Sequence, residues 1–305
     1  MTTPMEVKNQ LSQALRAQRL AITAECLPPR GADGAAVKRF VASLPKAVSA
    51  VVVAENHEEI RACALSCADL LLKEKVEPIL PLVVRDRNRI ALQSDVLGAA
   101  LLGVTNVLCL SGDHQSLGVC PQAAGAFDVD PIQLLQALRA MRDDGVLPGG
   151  ERLTPAPALF LGAVVHPYLR PMKLNVLQAK KKVAAGAQFL FTHPLWDVAA
   201  FVEWMNAMRD AGIPEKAHIV ASVRPLASAE QAEALQKRHK ADGIPDALLA
   251  RMRKASAPAN EGIALCAELA AKAKDIQGIR GIHVLSAGRE DAVAPILEQA
   301  GLTRA

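Results

Sequence analysis

Several short apolar runs in the chain close on a polar residue able to do chemistry: Glu25, Asn56, Arg85 with Asp86, Asp113, His166 and His193, with Arg289 near the last run. Glu25 stands in Thr-Ala-Glu-Cys-Leu-Pro-Pro-Arg. Apolar neighbours desolvate a carboxyl and raise its pKa, which suits a general acid near neutral pH. The same residue could equally be a structural carboxylate paired with a cation such as Arg30. Asp113 ends Val-Leu-Cys-Leu-Ser-Gly-Asp, where Ser111 and Gly112 precede it. Gly112 lets a ligand approach the backbone closely, although a Gly-Asp pair also serves as a plain turn. In Arg85-Asp86-Arg87-Asn88-Arg89, arginines at a helix start either grip phosphate or form local ion pairs. Asn175, Gln178 and Lys182 are spaced three and four apart, so they share one helix face. That face can address a cofactor's polyol chain and phosphate, or simply face water. His166 and His193 each end an apolar run before a proline. They can hydrogen-bond a heterocycle; a metal site lacks a third ligand at a familiar spacing.

These residues need elements to hold them. Val-, Ile- and Leu-rich runs alternate with segments of helical periodicity. Strands are predicted near 22–26, 50–53, 79–83, 107–110, 159–165, 189–192, 218–222 and 281–286. Helices are predicted over 35–43, 57–75, 87–102, 131–143, 172–185, 198–211, 229–239 and 289–300, with an extra one over 261–273. Eight β/α units in about 300 residues predict one closed (β/α)8 barrel spanning 1–305. The rival is a doubly wound open sheet, weakened because no G-x-G-x-x-G follows the first strand. In a barrel, chemistry gathers at the C-terminal ends of the strands, and the polar residues above occupy those ends.

Composition narrows the function. The formal charge is +4, from 35 basic and 31 acidic residues, and the chain has one Tyr and six Phe. The small basic excess is spread out, apart from Lys180-Lys181-Lys182, and few rings are available to stack bases. Nucleic acid is therefore not an expected partner. No apolar run approaches the ~18 residues of a membrane span, and residues 1–20 lack the apolar core of a secretory leader. The six cysteines lie mostly in apolar runs without a disulfide-scaffold pattern. A reducing cytoplasm and no metal are expected.

In combination, these motifs resemble the methylenetetrahydrofolate reductase family. Glu-x-x-Pro-Pro-Arg resembles the family's opening strand, and the stretch from Arg85 to Ala99 resembles one of its branches. Leu-Ser-Gly-Asp resembles the family's fourth-strand motif, and Lys-Lys-Val-Ala-Ala-Gly-Ala-Gln-Phe-Leu-Phe-Thr-His its sixth. The resemblance runs from about Ile22 to Arg289, and no regulatory domain of the eukaryotic kind is expected.

The resemblance implies a (β/α)8 flavoenzyme that interconverts 5,10-methylenetetrahydrofolate and 5-methyltetrahydrofolate, within one-carbon metabolism and methionine biosynthesis. It implies a noncovalent flavin, FAD or alternatively FMN, and either NAD(P)H or a partner protein as electron donor. A homo-oligomer is also implied. By the same resemblance Glu25 is the acid that opens the methylene bridge, and Asp113 lies beside flavin and pterin. Asn56, Arg85, Ser111, Gly112, Phe127, His166, Asn175, Gln178 and Lys182 fall on the flavin side; His193 and Arg289 fall on the folate side.

Four departures stand out. His193 replaces a Gln, Pro81 replaces a flavin-contacting His, and Ser111 replaces an Arg; the loop at Val164-Val165-His166-Pro167-Tyr168 is shortened. Two other classes stay open: a flavin-binding subunit of a larger electron-transfer complex, and a flavin-free pterin-binding methyltransferase barrel.

Overall fold

The computed structural model describes residues 7–303 apart from 18, 57–58 and 239–242. Eight parallel strands close into a barrel in sequence order: β1 (Ala21–Cys26), β2 (Val48–Val53), β3 (Pro78–Val83), β4 (Asn106–Leu110), β5 (Phe160–Val165), β6 (Phe189–Pro194), β7 (His218–Val223) and β8 (Ile279–Val284). β8 pairs back onto β1, with Ala24 opposite Val284. Helices α1 (Gln10–Arg16), α2 (Ala35–Ser43), α3 (Ala64–Lys73), α4 (Arg89–Leu102), α5 (Pro131–Asp143), α6 (Met172–Ala185), α7 (Val198–Asp210), α8 (Ala229–Arg238), α9 (Asp246–Lys254), α10 (Pro258–Ala273) and α11 (Val293–Gln299) precede, connect and follow the strands.

The strands read as continuous apolar runs because both of their faces are buried. Outward residues such as Ala24, Leu82, Leu190 and Val284 pack under the helices. Inward residues such as Ala21, Val52, Leu108, Phe160, Phe189 and Val220 fill the barrel. Phe160 stacks on Phe189 at 5.1 Å and Phe191 on His283 at 4.8 Å. At Gly162 any side chain would collide with the Phe189 ring, so the small residue makes room for the large one. Burial without a charged partner holds His283 neutral, its pKa pushed down to about 3, and the ring hydrogen-bonds Thr23 Oγ1 at 3.0 Å.

All eight expected strands are present; the last ends at Val284, two residues before its expected end. The helices differ more. α1 was not anticipated: its Leu11 and Leu15 are fully buried and plug the N-terminal end of the barrel, each contributing about 1.5–3 kcal/mol by burial. Asn9 caps it in a capping box with Ser12. α9 was also missed. The helix expected over 57–75 begins at Ala64 instead. Its first two positions lie outside the described residues, and the stretch before Ala64 is a loop in which the Asn56 side chain accepts the Arg61 N–H at 2.7 Å. The final helix starts at Val293, after a 3-10 turn over Glu290–Ala292. Position 239, the expected end of α8, lies outside the described residues.

Candidate functional site

A cleft of about 760 Å3 opens at the C-terminal mouth of the barrel, within the range of about 300–1,000 Å3 that holds cofactors and drug-sized ligands. Eleven of the thirteen expected site residues line it: Glu25, Asn56, Arg85, Ser111, Gly112, Asp113, His166, Asn175, Gln178, Lys182 and His193. Phe127 and Arg289 are not among its lining. Phe127 is exposed and lies over the His114 ring at 6.3 Å. Arg289 forms a two-pronged ion pair with Asp291, at 3.0 Å on each side.

Glu25 points inward from the last turn of β1 and is 8% exposed. Its Oε2 accepts from Ala287 N–H at 2.8 Å and from the Ser286 hydroxyl at 3.1 Å. Burial pushes the carboxyl above its ordinary value, opposed by those two hydrogen bonds and by the field of Arg224. The structural alternative, pairing with Arg30, does not occur: Arg30 Nε donates to Glu59 at 2.8 Å.

A second carboxylate, the half-buried Glu55 just after β2, also lines the cleft. Burial raises its pKa against the pull of Arg87, which donates to it at 2.9 Å. Glu55 was not singled out from the sequence, where attention fell on Asn56 next to it. The signal was present, because Glu55 closes the same apolar run.

Arg85 is 5% exposed and serves as a brace. It grips Asp86 at 2.6–2.7 Å, and it donates to the carbonyls of Asn56 at 2.6 Å and Asp113 at 3.2 Å. It therefore ties the loops after β2, β3 and β4 together. Gripping a phosphate would require it to leave these partners. Gly112 has φ +73°, and a Cβ there would come within 2.5 Å of Val83; only glycine lets this loop lie flat on β3.

The opposite wall comes from β5, β6 and α6. The rings of His166 and His193 stack at 4.0 Å. Tyr168 clamps this wall: its N–H donates to His166 Nδ1 at 3.3 Å, and its hydroxyl accepts from Trp196 N–H at 2.9 Å. In that bond Nδ1 of His166 is the acceptor. Asn175 is turned to the backbone, with Nδ2 donating to the carbonyls of His166 at 2.6 Å and Leu169 at 3.1 Å. Lys182 Nζ donates to the Val164 carbonyl at 2.5 Å. Burial lowers its pKa, against nearby Asp130 and Cys109. Asn175, Gln178 and Lys182 thus do share the cleft-facing side of α6. Leu110, Val164, Val165, Leu169, Leu174 and Ala179 give the cleft its apolar surface.

Among the described residues, no group of three or more His, Cys, Asp or Glu is placed to hold a metal ion, and no helix is long and apolar enough to cross a membrane.

Residues 10–301 match the model of the family described as methylenetetrahydrofolate reductase. A probable methylenetetrahydrofolate reductase (NADPH) of Caenorhabditis elegans is 22% identical over 251 residues, covering 81% of this chain and 36% of that protein. The chain thus spans about a third of the length of this curated relative. A Clostridium thermocellum protein described as binding two copies of 5-methyl-5,6,7,8-tetrahydrofolic acid shares the fold, with a TM-score of 0.66, 15% identity, and coverage of 96% of this chain and 99% of that one. So does a 2,3-dimethylmalate lyase of the PEP mutase/isocitrate lyase superfamily, with a TM-score of 0.53, 12% identity, and coverage of 98% and 90%. One barrel hosts many chemistries, so the last two similarities speak for the fold alone. The match of the family model over residues 10–301 places this chain in the methylenetetrahydrofolate reductase family.

Proposed function

We propose that the cleft is the site of a flavin-dependent reduction of 5,10-methylenetetrahydrofolate to 5-methyltetrahydrofolate, or of its reverse. The observation that carries this reading is Glu25: a buried carboxyl with a raised pKa, held by Ser286 and Ala287, at the mouth of a family barrel.

The residues present fit a flavin. The cleft has room, apolar walls for a flat ring system, and a half-buried lysine at its α6 side. Gln178, Lys182 and His166 would hold the group, with Ser111 and the Gly112 backbone on the opposite side. Asn56, Arg85 and Asn175 support it indirectly through the backbone they fix. Bound there, the flavin supplies the hydride, and FAD is the expected form, with FMN as the alternative.

The chain's own contribution is proton handling and positioning. Glu25, whose pKa burial raises, donates its proton to the folate nitrogen N10 as the bond between N10 and the methylene carbon breaks. The carbon is left as a cationic iminium on N5, and addition of a hydride makes it a methyl group. Asp113 at the end of β4 favours the positive charge that develops there. Glu25, left as carboxylate, regains its proton from water, and its raised pKa favours that return. His193, stacked on His166, faces the substrate's heterocycle from the β5–β6 side. The electron donor is NAD(P)H or a partner protein.

Purified protein should show a flavin visible spectrum, directly or after reconstitution with FAD or FMN. Chemically reduced protein should be reoxidised by 5,10-methylenetetrahydrofolate without oxygen. Failure to take up either flavin would sink this reading. Binding of methyltetrahydrofolate by such colourless protein would favour the flavin-free methyltransferase barrel. Bleaching by NADH or NADPH would identify a nicotinamide as donor; a bound flavin that neither dinucleotide reduces would point to a partner protein.

A further inference from the structure

β1 and β8 close the barrel, with Ala24 paired to Val284. Glu25 follows Ala24, and residues 285–288 follow Val284, so the turn after β8 begins beside the carboxyl. It bends back through two left-handed residues, Ala287 at φ +50° and Gly288 at φ +87°. The Arg289 N–H closes it on the Ser286 carbonyl at 2.9 Å. A left-handed alanine is strained, and such strain persists only where the surrounding structure holds it. Here the bend aims two donors at one atom. The Ala287 N–H reaches Glu25 Oε2 at 2.8 Å, and the Ser286 hydroxyl reaches the same oxygen at 3.1 Å.

The two oxygens of Glu25 are therefore unequal. Oε2 has two donors, and Oε1 has none among the described residues. At Glu77, by contrast, donors take both oxygens. Ser286 is fully buried, and among the described residues its hydroxyl has no other partner than Glu25. A backbone N–H can only donate, so it keeps the oxygen it meets as an acceptor. A proton on this carboxyl is therefore best placed on Oε1, and Glu25 lines the cleft.

We propose that Ser286 is the positioning residue of the acid: with the Ala287 N–H it occupies Oε2 of Glu25 and leaves the transferable proton on Oε1. The proposal rests on the reading of Glu25 as proton donor given above. Ser286 acts through Glu25 and does not touch the substrate. Two donors on one oxygen restrain rotation of the carboxyl, so Oε1 keeps one direction. Ser286 also sets how readily the acid ionises. A hydrogen bond to a carboxylate favours the charged form, which opposes the effect of burial at Glu25. The other charges felt at the carboxyl are Arg224, which favours ionisation, and Glu290, which opposes it. Glu290 accepts the Leu27 N–H at 3.1 Å, next to the acid's own strand. A change at Ser286 leaves both of these charges in place.

The test is Ser286→Ala, read in two ways across pH. The first is the infrared band of the protonated carboxyl that Glu25→Gln lacks, followed in the purified protein without folate. The second is the rate at which dithionite-reduced protein is reoxidised by 5,10-methylenetetrahydrofolate. The acid works only while protonated, so this rate holds level at low pH and falls as pH rises through the Glu25 value. Ser286→Ala removes a donor to the ionised form. The infrared midpoint and the falling limb should therefore both move up by about one pH unit. The level rate below the limb should drop about tenfold. Ser286→Thr keeps a hydroxyl and should return the midpoint to the wild-type value; if Thr does not fit, the Ser286→Ala midpoint decides alone. A midpoint that stays in place or moves down would overturn the assignment and leave Glu25 as the acid. A midpoint that moves up while Glu25→Gln is reoxidised at the wild-type rate would show that Ser286 holds a carboxyl that is not the acid. That outcome would bring down the reading of Glu25, and this proposal with it.

Discussion

At the N-terminal end of the barrel, Glu77 accepts the Gln10 N–H at 2.5 Å, the Leu11 N–H at 3.1 Å and the Asn106 amide at 2.7 Å. At the C-terminal mouth, Glu25 accepts one backbone N–H and one hydroxyl. Burial raises the pKa of both carboxyls, so titration alone does not tell them apart. What differs is their surroundings. Glu77 caps a helix that plugs the barrel, and its donors belong to the protein. Glu25 lines an open cleft. On the proposed function, the same side chain is structural beside the plug and chemical beside the open cleft.

This contrast can be broken from either end. The largest expected effect on stability is at the plug. Glu77→Ala strips the acceptor from two α1 N–H groups and from the Asn106 amide, and should cost about 2–4 kcal/mol, read from denaturant unfolding. Flavin uptake at the other end should persist. A variant as stable as the wild type would show that α1 does not depend on this cap.

Tyr168→Phe removes a hydroxyl that accepts the N–H groups of Trp196 and Asp197. It should cost about 1 kcal/mol of stability. Because Tyr168 joins the β5 and β6 loops, it should also raise KM for the folate more than it lowers kcat. An unchanged KM would separate the clamp from the site.

Glu25 gives a prediction of sign. Its carboxyl favours the fold while protonated and opposes it once ionised. Relative to Glu25→Gln, the wild type should hold level stability below the ordinary glutamate value of 4.5. It should then lose ground as pH rises through its own elevated value. Thermal melts across that range would show it; an advantage of the wild type that grows with pH would reverse the account.

Much of the mouth was legible in the sequence. Strand ends in a barrel converge, so polar residues that close apolar runs come together without any long-range information. That logic found Glu25, Asp113, His166 and His193. It failed where the signal was local and short. α1 spans seven residues, too few for periodicity to stand out, although the box of Asn9 and Ser12 marks its start. Arg289 is absent from the cleft's lining: β8 stops at Val284, and Ala287 and Gly288 after it both have positive φ. Arg85 carried the right residue type, but its partners lie on three separate loops, which no local pattern shows.

The most direct test of the central claim separates the two half-reactions in Glu25→Gln. The amide fills the same space and can still accept from Ser286 and Ala287, but it cannot act as a proton donor. The account predicts a variant that binds flavin and accepts electrons from dithionite like the wild type. Its reoxidation by 5,10-methylenetetrahydrofolate should be slowed by at least about a hundredfold. Reoxidation at the wild-type rate would contradict it, and would move the acid of the reaction away from Glu25.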